Sequence, residues 1–167
     1  ERDEYDDLNP MYVIWEDAIG RHSGSMRLLP TTGPCMVNDH FSELMQGDKF
    51  QSPFIWEGTR FCLSRNATRR TANALMLAAG EVMIGFGIKY CIGVFDHRMI
   101  RIYRMIGAAP EILGSSGEGE DFVGVGLWSI TKEMFDNVSK TSGIPLAQSR
   151  HWFDSAFGVE RRLARVG

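Results

Sequence analysis

The stretch Ile55-Trp56-Glu57-Gly58-Thr59-Arg60-Phe61-Cys62-Leu63 constrains the fold more than any other segment of the chain. Ser52-Pro53 supplies a turn before it and Ser64-Arg65-Asn66 a polar exit after it, so it reads as a buried central strand. Period-2 alternation puts Glu57, Thr59 and Phe61 on one face and Trp56, Gly58 and Arg60 on the other. A carboxylate inside such a strand is costly unless it is paired, neutral or facing a cavity. An internal Glu57–Arg60 ion pair would satisfy it, and so would a functional site. The strand alone does not separate the two.

Around that strand, 167 residues make one domain with room for a sizeable core. The hydrophobic share of 44% and charged share of 23% are those of an ordinary soluble globular protein. A net charge of -3 argues against a general nucleic-acid partner, whose footprint is strongly basic. Cys35, Cys62 and Cys91 are odd in number and lack C-x-x-C spacing, which predicts reduced thiols and a cytoplasmic location. No apolar run approaches a membrane span, so no membrane partner is expected. His22, His40, His97 and His151 stand apart, which predicts no metal site.

Taken in order, Glu1–Asp7 is an acidic cluster whose plain reading is a solvated terminus. Met11–Trp15 and Ser25–Leu29 read as an antiparallel hairpin, stopped by Pro30. Asn38 suits the N-cap of a short helix carrying Phe41, Leu44 and Met45. Thr71 to Phe86 repeats its apolar residues at helical spacing, and Lys89–Phe95 is a second apolar strand. Arg98 to Ile106 reads as a helix ended by Gly107. Glu111–Leu113 and Phe122–Trp128 are strands around an acidic loop, Ser115–Asp121. A helix capped by Thr131 and a last one from about Ser149 to Leu163 complete a mixed α/β fold with a twisted sheet.

Four segments stand in order with compatible gaps: Glu1-x-Asp3-x-Tyr5-Asp6, Met26-Arg27-Leu28-Leu29-Pro30-Thr31-Thr32-Gly33-Pro34, His40-Phe41-Ser42-Glu43-Leu44, and Trp56-Glu57-Gly58-Thr59-Arg60-Phe61. The series resembles the acyl-homoserine lactone synthases, the autoinducer synthases of bacterial quorum sensing. Tyr103-Arg104-Met105-Ile106-Gly107 is similar to the Arg-x-x-Gly pattern with which that family ends a helix. Thr59 stands where the family usually places Ser. The resemblance covers nearly the whole of a single domain, 1–167. The family's upstream segment, with an Arg, a Phe and a Trp that help close over the nucleotide substrate, lies outside these residues.

The resemblance implies a GNAT-like N-acyltransferase fold, a mixed twisted sheet with helices on both faces and a V-shaped splay between two central strands. It implies two substrates, S-adenosylmethionine and an acyl thioester, and no cofactor. Glu57 would be the base that accepts the amine proton, with Thr59 and Arg60 beside it. Asp3, Asp6 and Arg27 would join Arg60 around the nucleotide substrate, and Phe41 would be a wall of that pocket or simply core. The products would be the lactone and 5′-methylthioadenosine (MTA).

The acyl chain is expected between the two splayed strands, lined by Trp56, Leu75, Met76, Gly93, Met99 and Ile102. In the family a Thr on the second of these strands accompanies a preference for 3-oxo chains. Gly93 stands there, which predicts donors unsubstituted at the third carbon and extra room at the pocket floor. No Gly-rich pyrophosphate loop follows Leu63, which favours a donor carried on acyl carrier protein, although Arg65, Arg69 and Arg70 could serve a CoA phosphate. Arg98, Arg101 and Arg104 share part of one helix face, as a carrier-docking surface or as a solvated one. Two other functions compete: a generic acyl-CoA-dependent N-acetyltransferase, and a non-catalytic small-molecule-sensing domain on the same fold.

Overall fold

The computed structural model describes residues 2–163, with the backbone alone for 159–163. Six strands form one sheet: β1 Met11–Glu16, β2 His22–Pro30, β3 Ile55–Leu63, β4 Tyr90–Asp96, β5 Glu111–Ser116 and β6 Val123–Ser129, in spatial order β1-β2-β3-β4-β6-β5. Five α-helices accompany them: α1 Met36–His40, α2 Arg69–Gly85, α3 His97–Ile106, α4 Lys132–Ser142 and α5 Leu146–Leu163. Neighbouring strands are antiparallel except β3 and β4, which run parallel and pair only through Ile55–Glu57 against Tyr90–Ile92. Beyond Glu57 the two strands part, so the sheet splays at its centre.

Alternation along the strands sorts the side chains between two cores. Met26, Leu28 and Cys91 join α2, α4 and α5 in the larger one, where Leu77, Met83, Phe135 and Phe153 are buried. Ile92 and Val125 turn to the opposite face and meet Cys35 and Val37 at the start of α1, with Met45 from a following 3-10 turn. Burying a side chain of this size contributes about 1.5–3 kcal/mol, so neither face of the sheet could stand uncovered.

The early hairpin, the long central helix and the Gly107 helix stop follow the sequence reading, the last with Gly107 at φ +90° accepting the left-handed geometry. Two expectations fail locally. Asn38 does not cap a helix: α1 begins at Met36, and the Asn38 amide instead bonds the Phe50 backbone in both directions, at 2.8 and 2.9 Å. The acidic loop is shorter than expected, because β5 runs on to Ser116 and Gly119–Asp121 form a 3-10 turn.

Candidate active site

The site begins with the acidic cluster near the start of the chain. Asp3 accepts the Tyr5 amide at 3.1 Å while Asp6 accepts the Asp3 amide at 2.8 Å, a reciprocal cap that winds Glu4–Leu8 into a 3-10 turn. That local bonding converts a run of charges into a fixed wall. It also aims both carboxylates at β2, so the solvated-terminus reading of Asp3 and Asp6 does not hold.

Arg27 meets them from β2. It is 1% exposed, and a buried guanidinium must fill its donors. Nη1 donates to Asp3 at 2.6 Å and to Asp6 at 2.8 Å, and Nε donates to the Thr59 hydroxyl of β3 at 2.9 Å. The Tyr5 ring lies 5.6 Å from the guanidinium carbon. Burial works against the charge on Arg27, but the two carboxylates more than restore it and its pKa rises. Asp3 is held at about 2, chiefly by the Arg27 hydrogen bond. Asp6 is also lowered, first by the Tyr12 hydroxyl that donates to it and then by the Asp3 amide.

Arg60 joins from an unexpected direction. Strict alternation would send it to the face away from Thr59. The β2–β3 register steps from Arg27 opposite Thr59 to Ser25 opposite Cys62, so Arg60 and Phe61 together oppose Met26. This is a β-bulge, with Arg60 at φ +52°. It swings the Arg60 guanidinium to Asp3, at 2.9 Å, and sends Phe61 into the larger core against Tyr103. The side chains of Arg60 and Phe61 are therefore exchanged relative to the sequence expectation.

Glu57 lies on the same face as Thr59, wholly buried. Its partner is not Arg60. Its two oxygens accept the Met36 amide at 3.1 Å and the Val37 amide at 2.6 Å, the otherwise orphaned first donors of α1. Burial pushes its pKa up, while the Val37 and Met36 amides and the nearby Arg27 charge pull against that rise. A carboxylate whose pKa burial raises is a stronger proton acceptor than an exposed one, and here that gain is set against the two amides. Phe41 ends α1 and packs half-buried in the smaller core, outside the charged network.

A cavity with about 580 Å³ of empty space, part of it open to solvent, lies where β3 and β4 part. Gly58, Thr59, Arg60 and Phe61 line it from β3, Cys91 and Val94 from β4, and Met76, Ala79, Gly80 and Met83 from α2. Tyr103, Trp128 and Met134 close its far side. Of the expected acyl-pocket residues only Met76 lines it. Trp56 stacks on Phe86, Leu75 is fully buried against Gly24 of β2, and Met99 and Ile102 pack beside the larger core. Gly93 opens no room either: a Cβ there would sit 2.8 Å from the Gly58 carbonyl oxygen. What Gly93 permits is the close approach of β4 to β3 at the fork.

On α3, Arg98, Arg101 and Arg104 are exposed, but Arg98 folds back on Asp96, its Nε 2.9 Å from the carboxylate. Arg69 at the start of α2 donates to the Met105 carbonyl at 2.6 Å, placing it beside the α3 terminus. Sequence reasoning missed Tyr5, Tyr12, the Met36 and Val37 amides and Tyr103. Of these, Tyr5 stood in the acidic segment and Tyr103 in the helix-ending Tyr103–Gly107 segment, but neither was assigned a role.

Comparison with known proteins agrees with this geometry. A family model described as autoinducer synthase matches residues 1–138. The chain belongs to the autoinducer synthase family. An acyl-homoserine-lactone synthase of Rhizobium etli is 36% identical over 140 residues, 80% of this chain. The chain spans 66%, just under two thirds, of that relative's length. The crystal structure of TofI in a ternary complex with an inhibitor and MTA is 29% identical, covering 88% of this chain and 76% of TofI, with a TM-score of 0.72. MesI, a CoA-dependent acyl-homoserine lactone synthase, shares the fold at a TM-score of 0.77 and 23% identity, over 86% of this chain and 74% of its own. The expected mixed sheet with helices on both faces and a central splay is the fold of this autoinducer synthase. Among the described residues no helix is long and apolar enough to cross a membrane, and no group of His, Cys, Asp or Glu could hold a metal ion.

Proposed function

We propose that this autoinducer synthase makes an acyl-homoserine lactone from S-adenosylmethionine and an acyl thioester. One observation carries the reading: Thr59 and Arg60 belong both to the charged network around Arg27 and to the lining of the apolar cavity. A polar nucleophile held by the network would therefore face an acyl chain lying in the cavity. The family of the chain supports the same pairing, and TofI is a relative that holds MTA.

The methionyl amine must be neutral to attack. A model α-amino group has a pKa of about 7.7–8.0, so a good share is protonated at neutral pH. Glu57 takes that proton through one water that reaches it when the start of α1 shifts, because with the Met36 and Val37 amides in place its carboxylate is closed to water and substrate alike. The amine nitrogen then bonds to the thioester carbon. As the tetrahedral adduct collapses, the carbon–sulfur bond breaks and the second amine proton passes to the thiolate. A positioned base of this kind contributes typically ~10²–10⁴-fold. The methionyl carboxylate next attacks the carbon that bears the sulfonium, closing the lactone and expelling MTA. Asp3, Asp6 and Arg60 hold the nucleotide substrate so that this second attack is in line, a matter of orientation.

The donor arm reaches the cavity from the mouth of the fork, and acyl carrier protein is the carrier the sequence favours, with Arg101 and Arg104 toward its acidic surface. Incubating the full-length protein with S-adenosylmethionine and hexanoyl thioesters of carrier protein and of CoA tests the reading. Lactone and MTA are the expected products. Release of thiol with no use of S-adenosylmethionine would make the protein another kind of acyltransferase.

A further inference from the structure

The wall of the cavity is apolar except at a few points. Thr59 and Arg60 lie at the end nearest the charged network and are already bonded within it. The Cys91 thiol, pushed up to about 12 by burial, is a weak donor. Tyr103 is different. It is 7% exposed and lines the cavity from α3, yet its hydroxyl has no hydrogen-bond partner among the described residues.

The hydroxyl is not sealed within the protein, so it opens into the cavity, and whatever the cavity holds, water or a bound chain, fills a donor there that has no protein partner. Nor can this ring swing away to find one. Trp128 lies edge-on at 5.0 Å, Phe95 edge-on at 5.8 Å and Phe61 at 6.5 Å, boxing the phenol in. Burial also raises the pKa of Tyr103, so the group stays an O–H donor across the physiological range. A fixed, neutral, unoccupied donor at the side of an apolar tunnel selects a chain that brings its own acceptor.

We infer that Tyr103 determines acyl specificity: its hydroxyl bonds an oxygen carried along the chain, so the cavity prefers oxo- or hydroxy-substituted acyl groups to plain hydrocarbon ones. The inference rests on the cavity being the acyl site of the proposed reaction. It reverses the expectation drawn from Gly93, because the polar partner comes from α3 rather than from β4. A plain chain leaves the hydroxyl unpaired, and a site built around a hydrogen bond discriminates against the substrate that lacks it.

The test compares hexanoyl, 3-oxohexanoyl, 3-hydroxyhexanoyl and 5-oxohexanoyl thioesters with the full chain and with Tyr103→Phe, which keeps the ring and its packing. The wild-type protein should favour at least one oxygenated donor over hexanoyl by about tenfold in kcat/KM, equivalent to about 1.4 kcal/mol. In Tyr103→Phe that ratio should fall to near one. A ratio near one in the wild-type protein, or a preference that survives in Tyr103→Phe, overturns the inference while the proposed reaction stands. If no donor yields lactone, the proposed reaction fails by itself. The same four thioesters are then compared by calorimetric binding, where a tenfold preference lost in Tyr103→Phe still supports the role of Tyr103 and equal affinities overturn it.

Discussion

The Glu57 carboxylate of β3 accepts the Val37 amide of α1 at 2.6 Å, so the proposed base is also the cap of a helix that has no capping side chain of its own. This double duty changes what a substitution does. In Glu57→Gln the side-chain NH2 must face one of two backbone donors, leaving that amide unsatisfied at a cost of about 1–3 kcal/mol. The variant should fold but melt several degrees below wild type, at roughly 2–4 °C per kcal/mol for a chain of this size. Differential scanning calorimetry checks this, and an unchanged melting temperature would mean that the amides bond elsewhere.

Arg27 is the hub of the network, and truncating it leaves Asp3 and Asp6 with Arg60 as their cation among the described residues. Removing one partner of a buried ion pair costs about 3–5 kcal/mol. Arg27→Ala should fall near the lower end, since both carboxylates keep some contact with solvent. Arg27→Lys should recover only part of it, because one ammonium cannot span Asp3, Asp6 and Thr59 in a fixed fork. Urea unfolding of both variants measures the difference, and equal stabilities would remove Arg27 from its place as hub.

The pH dependence of stability has two opposite contributions. Asp3, lowered from 3.8 to about 2, stabilises the fold above its unfolded value, and that contribution is lost as pH falls through about 2. Glu57 is raised above its ordinary 4.5, so the folded state binds its proton more tightly. Its contribution is fully present below 4.5 and is lost as pH rises through the folded value. Glu57→Gln should therefore remove a decline in stability on the rising side of pH 4.5 and leave the acid limb intact. Urea midpoints measured from pH 2 to pH 8 would show this, and parallel curves for the two proteins would contradict it.

Gly93 and Gly58 face each other across the fork with different neighbours. A Cβ on Gly93 meets a backbone oxygen at 2.8 Å, whereas one on Gly58 meets the Cys91 sulfur at 2.9 Å and the Met26 methyl at 3.1 Å. Side-chain tips move more easily than a strand. Gly93→Ala should cost about 1–3 kcal/mol, the usual range for overpacking, and Gly58→Ala less. Chemical denaturation of the pair tests the order, and the reverse order would mean that the fork widens freely.

Much of this fold was legible in the sequence because its strands alternate cleanly and its helices keep a 3.6-residue period. Met26 and Leu28 face one core while Arg27 faces the site, as period 2 requires. The misses share a physical cause, that the deciding group lies far along the chain. Asn38 has the right chemistry for a cap, but Glu57 supplies the cap across space and frees Asn38 to brace Phe50. The bulge at Arg60 had no local signal, since arginine has no preference for positive φ. Its cause is the ladder to β2, and with it went the faces of Arg60 and Phe61. Tyr103 stood in the sequence only as part of the helix-ending Tyr103–Gly107 segment. That its hydroxyl would lack a partner could be learned only from the packed aromatic box.

Arg101 and Arg104 stay exposed on α3 while Arg98 is engaged with Asp96. If they steer an acidic carrier, Arg101→Glu with Arg104→Glu should raise KM for the carrier-bound donor far more than for S-adenosylmethionine. Added salt should erase the gap between wild type and variant, because exposed charges are screened within about 10 Å at 0.1 M. Steady-state kinetics at two ionic strengths reads this out, and equal effects on both substrates would move docking to another surface.

The central claim is that Glu57 drives amine acylation beside an ionic pocket that holds S-adenosylmethionine. Its most direct measurement is the rate at which lactone and MTA form together, in wild type and in Glu57→Gln, by mass spectrometry on the full-length protein at saturating donor. Wild type should yield the two products one for one, and Glu57→Gln should yield both roughly 10²–10⁴-fold more slowly. Near wild-type rates from a folded Glu57→Gln protein would contradict the claim and leave Glu57 as a helix cap alone.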